Sequence, residues 1–270
     1  MENAFPKLAV EPDPYAHELS RGLSPFNEAL SFVGLPPLQE QIEARLQQQA
    51  KVRLLEIGCG NGRLLLELLR KFESKIELYG LNLGPWPLKG AQDLTNVNER
   101  YKVMDPEILK FLPFPTLHFG DAQDLTAFPE KSFDFIVSQI VFGHIIRKDL
   151  ALEESARLLN PGGIFLHDLD HLDIHRQDFM NADLPRFAIY DGQQRISTMD
   201  YLKQQRIETR LGDTKRGYQV AFAVFEKEGR DLKLNLQFKE PASYLVRSLR
   251  RRDKTLDRKS MWGYHSAYEL

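Results

Sequence analysis

VRLLEIGCGNGRLLLELL, residues 52–69, is the stretch whose reading decides the fold. Val52 to Ile57 reads as a buried strand, and the leucines after Gly62 recur at helical spacing. Gly58, Gly60 and Gly62 fall on alternate positions where strand passes into helix. Glycines there can take positive φ and let a ligand lie against the main chain. The helix start that follows offers free N–H groups and a positive dipole end, suited to a carboxylate or an ordered water. Glu56 places a charge at the carboxyl end of the strand, where open α/β sheets bind ligands. A dinucleotide fingerprint would need its third glycine at position 63, where Arg63 stands, and no G-x-x-x-x-G-K-[ST] phosphate loop is present.

The E-x-G-x-G-x-G turn, Glu56 to Gly62, resembles motif I of the class I S-adenosylmethionine-dependent methyltransferases, and three further blocks resemble the same family in the same order. IELYGL, from Ile76, reads as a second strand ending at Asn82. The family usually has an acid there, which accepts both ribose hydroxyls. An asparagine keeps an acceptor but loses the charge assistance, roughly 1 kcal/mol. Leu83 is then placed to pack on the adenine. GDAQDLTAFPEKSFDF, from Gly120, follows a third strand (Leu117 to Gly120) and leads into a fourth, Phe133 to Ser138. The resemblance implies that Asp121 accepts the adenine amino group and that the Ala122 N–H serves a ring nitrogen. ALEESARLLNPGGIFLHDLD, from Ala151, resembles the family's helix, N-P-G-G turn and fifth strand.

The resemblance therefore implies S-adenosylmethionine as cofactor, held by Glu56, Gly58, Cys59, Gly60, Asn82, Leu83, Asp121, Ala122 and Gln139. Ser138, Gln139 and His144 lie at or beyond the end of the fourth strand, where the transferred methyl should point. Many small-molecule members carry a His-His or His-Asp pair here. His144 matches the second position, with Gly143 in the first, and a neutral imidazole there suits a general base. A loop-orienting histidine is the alternative.

Composition fits a globular protein of 270 residues, with 42% hydrophobic and 27% charged residues. The formal charge of −2 provides no global positive field for nucleic acid or an anionic membrane. No segment has the length and apolarity of a signal peptide or a membrane span, so a cytoplasmic protein is expected. Cys59 is the single cysteine, which excludes an internal disulfide or a Cys-based zinc site.

Residues 1–50 read as an N-terminal helical lid, with helices at Ser24–Phe32 and Pro37–Gln49 and Ser24-Pro25 as the first helix start. Tyr15, Phe26 and Phe32 are placed to close over the site, or else to pack the helices on the sheet. Residues 84–115 form a long connection with a short helix at Pro106–Phe111, and Trp86 and Tyr101 suit either a substrate pocket or packing.

HDLDHLDIHRQD, from His167, is dense in potential metal ligands, but alternation puts His167 opposite Asp168 and Asp170, so no metal is expected. Asp168, Asp170 and His171 suit a substrate-facing strand end instead. Ile207–Leu211 and Tyr218–Phe225 read as strands six and seven, and Leu232–Phe238 as one more. The last thirty residues carry Arg247, Arg250, Arg251, Arg252, Lys254, Arg258 and Lys259 against three acids, a solvated face or a basic contact patch.

The expected architecture is α/β: a doubly wound, seven-stranded, mainly parallel sheet with its last strand antiparallel, a Rossmann-like methyltransferase core over residues 51–228 and an extension over 229–270. The expected reaction is methyl transfer to an oxygen or nitrogen of a small-molecule acceptor. Two rivals remain: a peptide or protein carboxylate or amine as acceptor, and an idle cofactor-fold subunit. Nucleic-acid and membrane partners are not expected, and a homodimer is compatible with the sequence.

Overall fold

The computed structural model describes residues 22–82, 91–139, 141–142, 148–168, 189–191, 194–196, 202–203, 207–213, 219–229 and 232. Strand β1 (Val52–Ile57) is the centre of the sheet. It pairs in parallel with β2 (Ile76–Asn82) on one side and with β4 (Phe133–Ser138) on the other. The strand β3 (Thr116–Phe119) extends the sheet beyond β2, and β5 (Leu159–Asp168) extends it beyond β4, all parallel. Then β9 (Gln219–Glu226) runs antiparallel beside β5, and β8 (Glu208–Asp213) antiparallel beside β9. The order β3-β2-β1-β4-β5-β9-β8 is the expected doubly wound sheet with its last strand in chain order reversed. The chain direction from β1 divides at β2 and β4, which creates a switch point at their carboxyl ends.

Alternation along β1 explains the two layers. Leu55 and Ile57 face a core completed by Ala151, Leu152 and Ala156 of helix α6 (Lys148–Leu158). Val52 and Leu54 face the other core, with helices α1 (Leu23–Phe32), α2 (Leu38–Leu46), α3 (Arg63–Phe72) and α4 (Ala91–Tyr101). On α3 alone, Leu64, Leu65, Leu66, Leu68, Leu69 and Phe72 are buried. At about 1.5–3 kcal/mol per large side chain, this helix is anchored mainly by burial.

Helix α1 departs from the expected start. Its N-cap is Gly22, with no side-chain cap bond, and Ser24 lies exposed within the first turn. The cap comes from far along the chain: the Leu23 N–H donates to Oε2 of Glu67 on α3. Phe26 is core rather than lid, 1% exposed and edge-on to Phe222 of β9 at 5.8 Å. Phe32 is half-buried, its carbonyl so close to Gly212 of β8 that a Cβ there would overlap it. Tyr15 lies outside the described residues. Helix α2 is shorter than expected, and α5 (Pro106–Leu109) is capped by Asp105, whose side chain accepts from the Glu107 N–H.

The N-P-G-G segment is also different. Helix α6 passes straight into β5, and Asn160–Gly163 form an irregularity within the strand, since Leu159 pairs with Phe133 and Ile164 with Phe135. Asn160 Nδ2 donates to Asp134 Oδ1 at 3.0 Å, while Asp134 Oδ2 accepts from the Arg53 N–H at 2.9 Å. The buried Asp134 thus ties the starts of β1, β4 and β5 together. A two-stranded ribbon, β6 (Ile189–Asp191) with β7 (Gln194–Ile196), was not anticipated. Leu232 is buried but lies in no strand, and positions 233–238, the basic segment and the terminal aromatics lie outside the described residues. No helix among the described residues is long and apolar enough to cross a membrane.

Candidate active site at the carboxyl edge of the sheet

The loop after β1 is folded back onto β2 by its own main chain. The N–H groups of Gly58 and Cys59 both donate to the Leu81 carbonyl, at 2.7 and 3.1 Å, and the Gly62 N–H donates to the Cys59 carbonyl at 2.8 Å. All three glycines have positive φ: 69°, 53° and 76°. They serve different purposes. A Cβ at Gly58 would overlap Val141, in the segment after β4, whereas a Cβ at Gly60 would meet nothing within 4 Å. Gly60 therefore faces open space, and Gly62 caps α3 in the left-handed conformation.

The ends of four strands converge on this loop. Ile57 is in register with Leu81 of β2 and with Ser138 of β4, and the Gly120 N–H donates to the Asn82 carbonyl at 2.8 Å. Glu56, Gly58, Cys59, Gly60, Asn82, Asp121, Ala122 and Gln139 are thereby brought to one edge. Leu83, Gly143 and His144 fall outside the described residues, as do Asp170 and His171.

Glu56 is 4% exposed, and its Oε2 has no hydrogen-bond partner among the described residues. Burial, and secondarily the nearby Glu67 carboxylate, push its carboxyl well above the usual range. Glu67 itself is held by Arg63 Nε at 2.8 Å and by the start of α1. Gln139 Nε2 is likewise buried without a partner. An orphaned acceptor, an orphaned donor and an open glycine face on one edge fit a ligand with its own ammonium and carboxylate groups.

Cys59 enters the loop through its main chain. Its side chain turns inward, 6% exposed, with Sγ against Gly80, so close that a Cβ at Gly80 would lie 2.7 Å from it. Its main-chain N–H and carbonyl are both used within the loop fold, as described above. Burial and then Glu56 push its thiol up, so it is packing and not a nucleophile. Asn82 is 8% exposed, and its amide is bonded at both ends to Gly60: the Gly60 N–H donates to Oδ1 and Nδ2 donates to the Gly60 carbonyl, each at 3.0 Å. Asp121 accepts from the Gln123 N–H at 2.9 Å and from Gln123 Nε2 at 2.7 Å. Ala122 is buried in the α6-side core.

The sequence reading missed a polar array behind the edge. His167, fully buried, has Nδ1 3.0 Å from Ser138 Oγ and Nε2 3.0 Å from Ser155 Oγ. Ser155 donates its proton to the Ala151 carbonyl at 2.7 Å, so it accepts from Nε2–H, and Ser138 donates to a neutral Nδ1. Phe142 and Phe165 lie against the ring at 4.4 and 4.7 Å between centroids. Burial lowers the His167 pKa to about 3. Only the position of His167 on strand five hinted at this. Among the described residues no group of three or more acids, histidines or cysteines could hold a metal ion.

A protein-family model described as a methyltransferase domain matches residues 55–167. The chain is 34% identical over 116 residues to a fatty-acid O-methyltransferase of Mycolicibacterium smegmatis, covering 43% of this chain and 36% of that protein. It is 23% identical over 129 residues to the 6-hydroxymellein synthase of Talaromyces verruculosus, covering 48% of this chain and 5% of that protein. The chain thus spans about a third or less of the length of these curated relatives. Among solved structures, an arsenic(III) S-adenosylmethionine methyltransferase from Chlamydomonas reinhardtii is similar at 16% identity and a TM-score of 0.45, over 79% of this chain and 76% of that one. Residues 55–167 of this chain are thus similar to a methyltransferase domain.

Proposed function

We propose that this protein uses S-adenosylmethionine to methylate an oxygen or nitrogen of a small-molecule acceptor. The observations that carry the reading are the open face of Gly60 and the orphaned, buried Oε2 of Glu56, both at the carboxyl end of β1. S-adenosylmethionine, when bound, supplies an electrophilic methyl group on a sulfonium sulfur. Glu56 and Gln139 offer an acceptor and a donor to its amino-acid end, along the main chain of Gly58 and Gly60. Asp121 and Ala122, after β3, are assigned to the adenine, as is Leu83. Cys59 and Asn82 contribute through the loop they shape. His144 is the proposed base that takes the acceptor's proton. Much of the rate in such a reaction can come from alignment of acceptor and methyl donor. The matched relative named as a fatty-acid O-methyltransferase supports oxygen as a methylated atom.

The test is transfer of an isotopically labelled methyl from S-adenosylmethionine to panels of small carboxylic acids, phenols and amines. Labelled small-molecule product is expected, with turnover reduced in His144→Ala and affinity for S-adenosylhomocysteine unchanged. Label appearing only in peptides or proteins would contradict the acceptor class.

A further inference from the structure

The family position at the end of β2 usually holds an acid for the ribose hydroxyls, and here the side chain has another occupation. Asn82 closes a two-bond ring with the main chain of Gly60, accepting its N–H and donating to its carbonyl, both at 3.0 Å. A carboxamide alone among side chains of this length supplies both a donor and an acceptor; a carboxylate only accepts. Asn82 is bonded to Gly60 in its left-handed conformation, while a Cβ on Gly60 would meet nothing within 4 Å. The same bidentate device recurs 16 residues on: Asn98, 1% exposed, accepts from the Met104 N–H and donates to the Met104 carbonyl, both at 3.0 Å.

We infer that Asn82 is a positioning residue for the amino-acid end of the cofactor, acting through the Gly60 peptide, and not a ligand of the ribose. The inference rests on the cofactor reading above. Its consequence runs against the family pattern: restoring the family's acid in Asn82→Asp should impair the site. The aspartate would lose the bond to the Gly60 carbonyl and set an anion against that oxygen.

Calorimetry with two ligands separates the roles. S-adenosylhomocysteine carries the amino-acid end; 5′-methylthioadenosine has the same ribose and adenine without it. Asn82→Asp is expected to weaken S-adenosylhomocysteine by about tenfold or more, the order of one charge-sensitive hydrogen bond, and to change 5′-methylthioadenosine by less than about threefold. Asn82→Ser, which removes the bidentate lock without adding charge, should show the same imbalance and covers the case in which the aspartate variant does not fold. Equal losses for the two ligands, or unchanged or tighter S-adenosylhomocysteine binding by Asn82→Asp, would overturn the inference and leave the cofactor reading intact. Wild-type protein that binds neither ligand would overturn both.

Discussion

At the scale of single residues, two buried titratable groups contribute to the pH dependence of stability with opposite signs. His167 has its folded pKa lowered to about 3 from 6.5, so its contribution is complete above 6.5 and is lost as pH falls, because the unfolded chain takes a proton that the folded one refuses. Between pH 6.5 and about pH 5 this loss is up to roughly 2 kcal/mol, at 1.36 kcal/mol per unit. His167→Gln should be less stable at neutral pH, since it breaks the serine bridge, but should lose less stability on acidification. Thermal melts of both proteins at about pH 7 and pH 5 check this, and parallel shifts would contradict it. Glu56 is the reverse case. Its raised pKa means stability is present at acid pH and declines as pH rises from the unfolded value towards the folded one. Glu56→Gln, neutral throughout, should gain on the wild type as pH rises from about 5 to 8, while binding S-adenosylhomocysteine more weakly. A melting difference independent of pH would refute the buried-acid account.

At the scale of elements, the helices are tied to the sheet by side chains distant in sequence. Lys227, just after β9, is 3% exposed, and its Nζ donates to the carbonyls of Ala156 and Arg157 at 2.9 and 3.3 Å. It places a cation at the carboxyl end of α6, where the helix dipole is negative and the last carbonyls lack intrahelical partners. Lys227→Met is expected to cost on the order of 1–3 kcal/mol, measured by urea unfolding; a change below about 0.5 kcal/mol would fall within the range of ordinary surface substitutions. The start of α1 on Glu67 is the same principle from the other face. These ties explain what could be read in advance. The glycine triplet and the apolar runs of β1 and β4 are local patterns, and both strands have the bounds that the sequence predicts. The Glu67 cap, 44 residues from Leu23, and the Asn82 lock, 22 residues from Gly60, leave no local pattern. Ser24-Pro25 looked like a helix start because nothing nearby in sequence shows that Glu67 will arrive one residue earlier. Asn-Pro-Gly-Gly looked like a turn because the pull of Asp134 on Asn160 exists only once β4 and β5 are paired.

At the scale of the whole molecule, the doubly wound sheet exists to bring chemistry from separate segments to one edge. Glu56, Gly60, Asn82, Asp121 and Gln139 are spread over more than eighty residues, and the switch between β2 and β4 assembles them. The strand–glycine turn–helix unit was legible from local motifs, and the cofactor is the one that the resemblance of those motifs implies, whereas the inward packing of the Cys59 side chain and the His167 array depended on which face each residue takes. The central claim is that the open face of Gly60 receives a nucleoside with an amino-acid end. The measurement that tests it most directly is calorimetric binding of S-adenosylhomocysteine to the wild type and to Gly60→Asn. Asparagine is among the residues that best tolerate the left-handed backbone, so it fills the hollow at little conformational cost. The account predicts saturable binding by the wild type and loss of at least about tenfold in affinity by a variant that still melts cooperatively, roughly 1.4 kcal/mol or more. Equal affinity in the two proteins, or no heat of binding in either at high concentration, would contradict it.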